Sequence, residues 1–292
     1  MVVRLAVAGL AYLVTLGVAY GLLIPAVPAD PTASASFVPP AVAPFVMTAL
    51  HTAVMGWLVL RSRLRGWGLA ALMTAVFFGV VTFMPQVESW LFQVSSGMAS
   101  HLPAEMIPRI VLAGLLHACL WIPLAVGVLG RWKSNGTAER NPRPSLAAGL
   151  MGWKLPVAAV AYVFVYFLFG YYIAWRNPAV RAYYGGTDPG TFWVQLLGVL
   201  RDSLWLPLAQ VVRGAIWVLI GVTVLRSMRG GVLEKALAVG ALFSMMAAGL
   251  LLPNPYMPYA VRMAHLVETA SSNFLFGVLV GGLFTESERA TV

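Results

Sequence analysis

The sequence predicts an all-α fold: a polytopic integral membrane helix bundle of about eight transmembrane helices, built as two parallel four-helix repeats. Three observations carry this expectation. Hydrophobic residues make up 60% of the 292-residue chain and charged residues only 10%, against roughly 25% charged in a soluble domain. The apolar residues fall into eight runs, each near the ~20 residues a helix needs to cross the hydrocarbon. Two stretches 150 residues apart also read almost as copies: residues 4–12 (RLAVAGLAY) and residues 154–162 (KLPVAAVAY).

The runs lie at about 2–25, 40–60, 67–92, 107–130, 155–175, 203–225, 235–252 and 259–284. The first has a rival reading as a cleavable signal peptide, with Arg4 ahead of it and the small residues Ala33, Ser34 and Ala35 behind. Its apolar stretch is longer than a signal h-region of roughly 7–15 residues, and its echo at Lys154 cannot be a signal, so it reads as a true span. The echo continues in order, with Leu60, Arg61 and Ser62 against Leu225, Arg226 and Ser227, and Pro85 against Pro253. Residues 1–145 then form the first repeat, with a cytoplasmic loop at 131–145, and residues 146–292 the second. Four spans per half is an even number, so the halves run in the same direction about an axis along the membrane normal.

Between the fifth and sixth runs, Asp188, Pro189 and Gly190 read as a helix start, with Asp188 as the cap. Phe192, Trp193, Leu196, Leu197 and Leu200 share one face of the segment that follows, opposite Thr191, Gln195, Gly198 and Asp202. This predicts an interfacial helix at about 190–202 on the outer surface. Three prolines in the segment 252–258 make a turn. Trp67, Trp132, Trp153, Trp175, Tyr256 and Tyr259, near span ends, read as interfacial anchors. Gly277 and Gly281 form a small-xxx-small packing face, expected to act inside the monomer.

Orientation follows from the basic residues. With both termini in the cytoplasm, 13 of the 19 lysines and arginines face inward (among them Arg4, Arg61, Arg131, Arg140, Arg143 and Arg289), 5 face outward, and Arg213 is left in a span. That asymmetry predicts cytoplasmic termini and a plasma or inner membrane location. The net charge of +9 therefore sits in short loops beside spans and does not signal nucleic acid. The single cysteine, Cys119, rules out a disulfide framework and a Cys-based metal site.

Function has to be sought among polar groups inside the apolar runs, because such groups are costly there and mark sites. The last span carries Arg262, His265, Glu268, Thr269 and Ser272 at spacings of three or four, one stripe down one face. The sixth carries Ser203, Gln210, Arg213 and Trp217; the fourth has His117, the third Gln86 and Glu88, the second His51. Counting from the cytoplasmic ends at about 1.5 Å per residue places Arg213, Glu268, His117 and Gln210 in one layer near mid-membrane. Glu88 and His265 lie nearer the outside and His51 nearer the inside. The expectation is a polar pocket around Arg213, Glu268 and His117, open to the outer side, with Gln210, His265, Ser272 and Glu88 as further ligand-binding residues. Arg213 and Glu268 are expected to be neighbours.

Three classes fit. The first is a transporter or permease, or a binder, of a small anionic or amphipathic molecule, such as a lipid. Arg213 would hold the anionic group, with Gln210 and Ser272 bonding and Glu268 balancing charge. The second is an intramembrane enzyme whose His117, His265, Glu268 and Glu88 offer a mixed N/O metal site, although the spacing is not HExxH. The third is a b-haem electron carrier drawing two axial ligands from His51, His117 and His265. No Ser-His-Asp order, phosphate loop or nucleic-acid motif is present. The partners expected are the lipid bilayer and a small-molecule or lipid ligand.

Overall fold

The structure, a computed structural model, describes residues 1–25, 38–95, 102–133 and 152–285. The small-residue motif at 33–35, most of the 131–145 loop and Arg289 lie outside the described residues. Among those described, eight helices are long and apolar enough to cross a membrane, and strand pairing is limited to one isolated bridge. The protein is a polytopic helical membrane bundle.

The spans follow the apolar runs closely. They begin with α1 (Val2–Leu23) and α2 (Ala43–Arg61). The third combines α3 (Gly66–Phe78), a π-helical stretch at Gly79–Phe83, and α4 (Met84–Ser95). The fourth is α5 (Met106–Val128). The fifth is α6 (Lys154–Phe169), prolonged by a second π-helical stretch at Gly170–Trp175. Two shorter helices follow, α7 (Pro178–Tyr184) and α8 (Phe192–Asp202). The last three spans are α9 (Trp205–Ser227), α10 (Val232–Ser244) with a 3-10 continuation at Met245–Leu251, and α11 (Tyr259–Phe284).

Small residues decide the closest packing. A Cβ on Gly277 would stand 2.5 Å from the Val239 carbonyl oxygen, and one on Gly281 would strike the Ala236 Cα. The α10 and α11 backbones therefore touch along the seam that Gly277 and Gly281 mark, which places the small-residue face inside the monomer. Elsewhere α1 lies on α5 and α2, α5 on α3, and α6 on α9, while α2 joins the two halves by packing on α10 and its 3-10 continuation.

One face of the bundle, here the near face, carries the start of α1. There the two Leu-Arg-Ser segments meet each other. Arg63 N donates to Ser227 O at 2.6 Å and Arg229 N to Arg61 O at 2.8 Å, around the antiparallel bridge between Ser62 and Met228. Arg61 is also ion-paired with Glu234 at the start of α10. Arg131, counted above as a loop charge, is instead buried, and its guanidinium donates to the Ser62 and Leu64 carbonyls. The basic residues that open α1 and α6 sit alike. The Arg4 guanidinium lies against Gly130, just past α5, where a φ of 73° and the lack of room both favour glycine. Lys154 Nζ donates to Leu283 O near the end of α11 at 3.0 Å, placing a cation at a helix C-terminus.

The far face holds α7 and α8. Helix α7 follows the rules for a short helix: the Asn177 side chain accepts from Ala179 N at 2.9 Å, Pro178 fills the first turn, and Gly185 closes it at φ 70°. A helix forms where the interfacial one is expected, over Phe192–Asp202, but with a different start. Thr191 Oγ1 accepts from Val194 N, whereas Asp188 Oδ1 accepts from Gly190 N in the turn before it. A side-chain oxygen caps through the amide two or three residues into the helix, and from Asp188 that amide still belongs to the turn. Trp193, Val194, Leu197 and Leu200 point outward, and the other side of α8 turns toward the bundle.

Candidate functional site

Three spans lose α-helical geometry among the described residues, each in a stretch that ends two or three residues before a proline: Pro85, where the helix resumes as α4, Pro178 and Pro253. The cause is steric and chemical. Proline lacks the N–H and its ring opposes the carbonyl four residues earlier, which favours a wider, tighter or ended turn before it, although Pro123 sits in an α5 that stays α-helical. At the three breaks those earlier residues are Val81, Ala174 and Gly249, and all three line one cavity of about 370 Å³. Irregular backbone at membrane depth is tolerated where it lines a cavity, and π-helical turns recur at functional sites.

Polar groups converge on this cavity from three spans. Arg213 on α9 donates from Nη2 to Glu88 Oε2 on α4 at 2.9 Å and from Nη1 to Gln210 Oε1 at 2.7 Å. Its guanidinium carbon lies 5.9 Å from the centre of the Tyr162 ring. The Arg213 side chain is 3% exposed and that of Glu88 31%. On α11, Glu268 Oε2 accepts from His265 Nδ1 at 3.2 Å and from Thr269 Oγ1 at 3.3 Å. A carboxylate only accepts, so Nδ1 carries the hydrogen. His265 Nε2 lies 3.1 Å from the hydroxyl of Tyr184 on α7. Burial pushes the Tyr184 pKa above its ordinary value, so that hydroxyl stays protonated and available to His265.

Five of the expected site residues therefore share the cavity wall: Arg213, Glu88, His265, Glu268 and Ser272. Gln210 stands behind Arg213, fully buried. Two expectations are corrected. Arg213 pairs with Glu88 and not with Glu268, because α4 brings a carboxylate to it while Glu268 bonds along its own helix. His117 does not line the cavity. It lies on α5, which packs on α1 and α3, so equal depth did not mean proximity.

His117 belongs to a second polar cluster with Thr15, Tyr12 and His51. His51 Nε2 is 2.9 Å from Met245 O, so Nε2 must donate, and Nδ1 then accepts from the Tyr12 hydroxyl at 2.7 Å. Thr15 Oγ1 donates to a carbonyl of its own helix and so accepts from His117 Nδ1, at 3.1 Å. Both His51 nitrogens are thus engaged, so His51 itself has no lone pair free for a haem iron, whereas His117 Nε2 is buried without a partner among the described residues. His51 instead holds the first carbonyl of the 3-10 stretch whose later residues wall the cavity. The mixed metal site is also not assembled: among the described residues no three His, Cys, Asp or Glu side chains gather closely enough to hold an ion.

Sequence reasoning missed the aromatic part of the wall. Trp175, expected to be an interfacial anchor, lines the cavity together with Tyr162, Tyr166, Tyr171 and Tyr184. Tyr162 and Tyr166 stand four apart, hence on one helix face. That spacing was the available signal.

The fold and the site define an integral membrane protein with an ion-paired, aromatic cavity beside the breaks in three spans. Compared with protein-family models, with curated proteins and with solved structures, the chain matches none.

Proposed function

We propose that this protein is a membrane carrier of the permease class, which binds a small amphipathic molecule between its spans and exchanges it with the outer side of the membrane. The carrying observation is the convergence of three helix breaks on one ion-paired cavity. Discontinuous spans meeting at a polar site are the construction secondary transporters use. A volume of about 370 Å³ lies within the ~300–1,000 Å³ of small-molecule sites.

The two-repeat organisation is part of this proposal. It is supported by the sequence echo, by the hydrogen bonds joining the two Leu-Arg-Ser segments, and by Arg4 and Lys154 each lying at the end of the fourth span of its own half. Cytoplasmic termini, and hence a far face turned outward, rest on the asymmetry of basic residues. The anionic ligand is not carried forward, since the Arg213 charge is already paired with Glu88. The intramembrane-enzyme reading lacks a third ligand beside His265 and Glu268.

Thermal stability in detergent tests the proposal. Screened against small polar and amphipathic molecules of every charge class, the protein is expected to gain several degrees from at least one class. Ser89→Trp, which fills the cavity from α4, is expected to fold and to lose that gain. If no class shifts the unmodified protein, the cavity is structural and the carrier reading fails.

A further inference from the structure

We propose that the occupant of this cavity is an organic monocation, an amphipathic ammonium ion held between Glu268, Glu88 and the aromatic wall. This inference rests on the carrier reading and names the class of ligand at the same site.

The first argument is charge. The wall carries two carboxylates, Glu88 and Glu268, against one guanidinium, Arg213. With His265 neutral the sum is negative, and with His265 protonated it is zero. In neither state is the wall positive, so an anion has no excess charge to meet.

The second argument is which groups remain open. Arg213 gives one Nη1 hydrogen to Gln210 and one Nη2 hydrogen to Glu88, and its Nε is buried without a partner among the described residues. Its charge is thus already met by a carboxylate, and a ligand carboxylate or phosphate would have to share the guanidinium with Glu88. The two carboxylates are the opposite case. All the bonds that Glu88 and Glu268 accept from the described side chains fall on Oε2, at 2.9, 3.2 and 3.3 Å. Oε1 of each is unbonded, and neither is among the buried unpartnered atoms. The cavity therefore presents two carboxylate oxygens without a donor, while its one guanidinium is already ion-paired. A ligand ammonium supplies the missing donors.

The third argument is the wall. Tyr162, Tyr166, Tyr171, Trp175 and Tyr184 surround the same space. Aromatic faces attract cations through the ring quadrupole, most strongly where water is excluded. Arg213 over Tyr162 already makes such a contact, and the other rings are available to a ligand. A neutral apolar molecule would gain from the rings but would leave two carboxylates desolvated and unpaired, which is costly.

The experiment is a charge series of near-constant shape: phenethylammonium, phenethyl alcohol and phenylacetate. Binding to the purified full-length protein is read by calorimetry and by quenching of tryptophan fluorescence. Phenethylammonium is expected to bind at least about tenfold more tightly than the alcohol, about 1.4 kcal/mol, with phenylacetate weakest. Glu268→Gln is expected to reduce the advantage of the cation over the alcohol, because one of the two open carboxylates is lost. If phenylacetate or the alcohol binds as tightly as the cation, the cation assignment is overturned and the carrier reading stands. If none of the three binds, both fall. The comparison on the unmodified protein decides the matter even if Glu268→Gln does not fold.

Discussion

Gly281→Leu is expected to destabilise the bundle by about 3 kcal/mol, the top of the usual range for overpacking. The reason lies in what the new side chain meets. A single Cβ at Gly281 already strikes the Ala236 backbone on α10, and backbone cannot swing aside as a side chain can. Gly277 opposes the Val239 carbonyl and the Gly240 backbone in the same way. In a membrane the association of helices depends on this close approach, because lipid offers the helices equally good apolar contact. Gly282→Leu is the matched control. Nothing lies within 4 Å of a Cβ at that position, so its melting temperature in detergent should stay near that of the unmodified protein. Equal melting of the two variants would contradict the seam.

Glu88→Leu is expected to cost about 3–5 kcal/mol, the usual penalty for stranding one partner of a buried ion pair. Arg213 is 3% exposed and would keep only the neutral Gln210 amide and the Tyr162 ring beside its charge. Arg213→Leu should cost less, because Glu88 is 31% exposed and water partly solvates the carboxylate left behind. The double variant should recover part of either loss, since removing both charges leaves none stranded. Arg213→Leu combined with Glu268→Leu should instead lose stability additively. Melting temperatures of these four variants and of Glu268→Leu check this, and recovery by the Glu268 combination alone would assign the pair differently.

The sequence carried the spans because about 20 apolar residues in lipid admit only a helix. It carried the polar inventory for the same reason, since Arg213, Glu268, His265, Ser272 and Glu88 stand out against apolar surroundings. Depth counting failed where it left out two things. It gives a layer and no direction around the bundle axis, which is why His117 was grouped with Arg213 although α5 packs on α1 and α3. It also assumes unbroken α-helices, and Glu88 follows a π-helical stretch. That stretch was legible in Pro85, just as α7 was legible in Asn177, Pro178 and Gly185, an N-cap, a first-turn proline and a closing glycine. Trp175 was misread because an aromatic at a span end serves equally as an anchor or as a cavity wall. Only the π turn at Gly170–Trp175 decides which way it faces.

The central claim is that a polar cavity inside a lipid-embedded bundle opens to the outer side. The chain has one cysteine, Cys119, so a Cys119→Ser background gives a clean probe. In it, Ser89→Cys and Thr269→Cys place a thiol on the cavity wall from α4 and α11, and Leu279→Cys places one on the exposed apolar surface of α11. Intact cells treated with a membrane-impermeant maleimide should label the two cavity thiols and leave Leu279→Cys unlabelled. Labelling of Ser89→Cys and Thr269→Cys only after the membrane is opened from the cytoplasmic side, or not at all, would contradict the account.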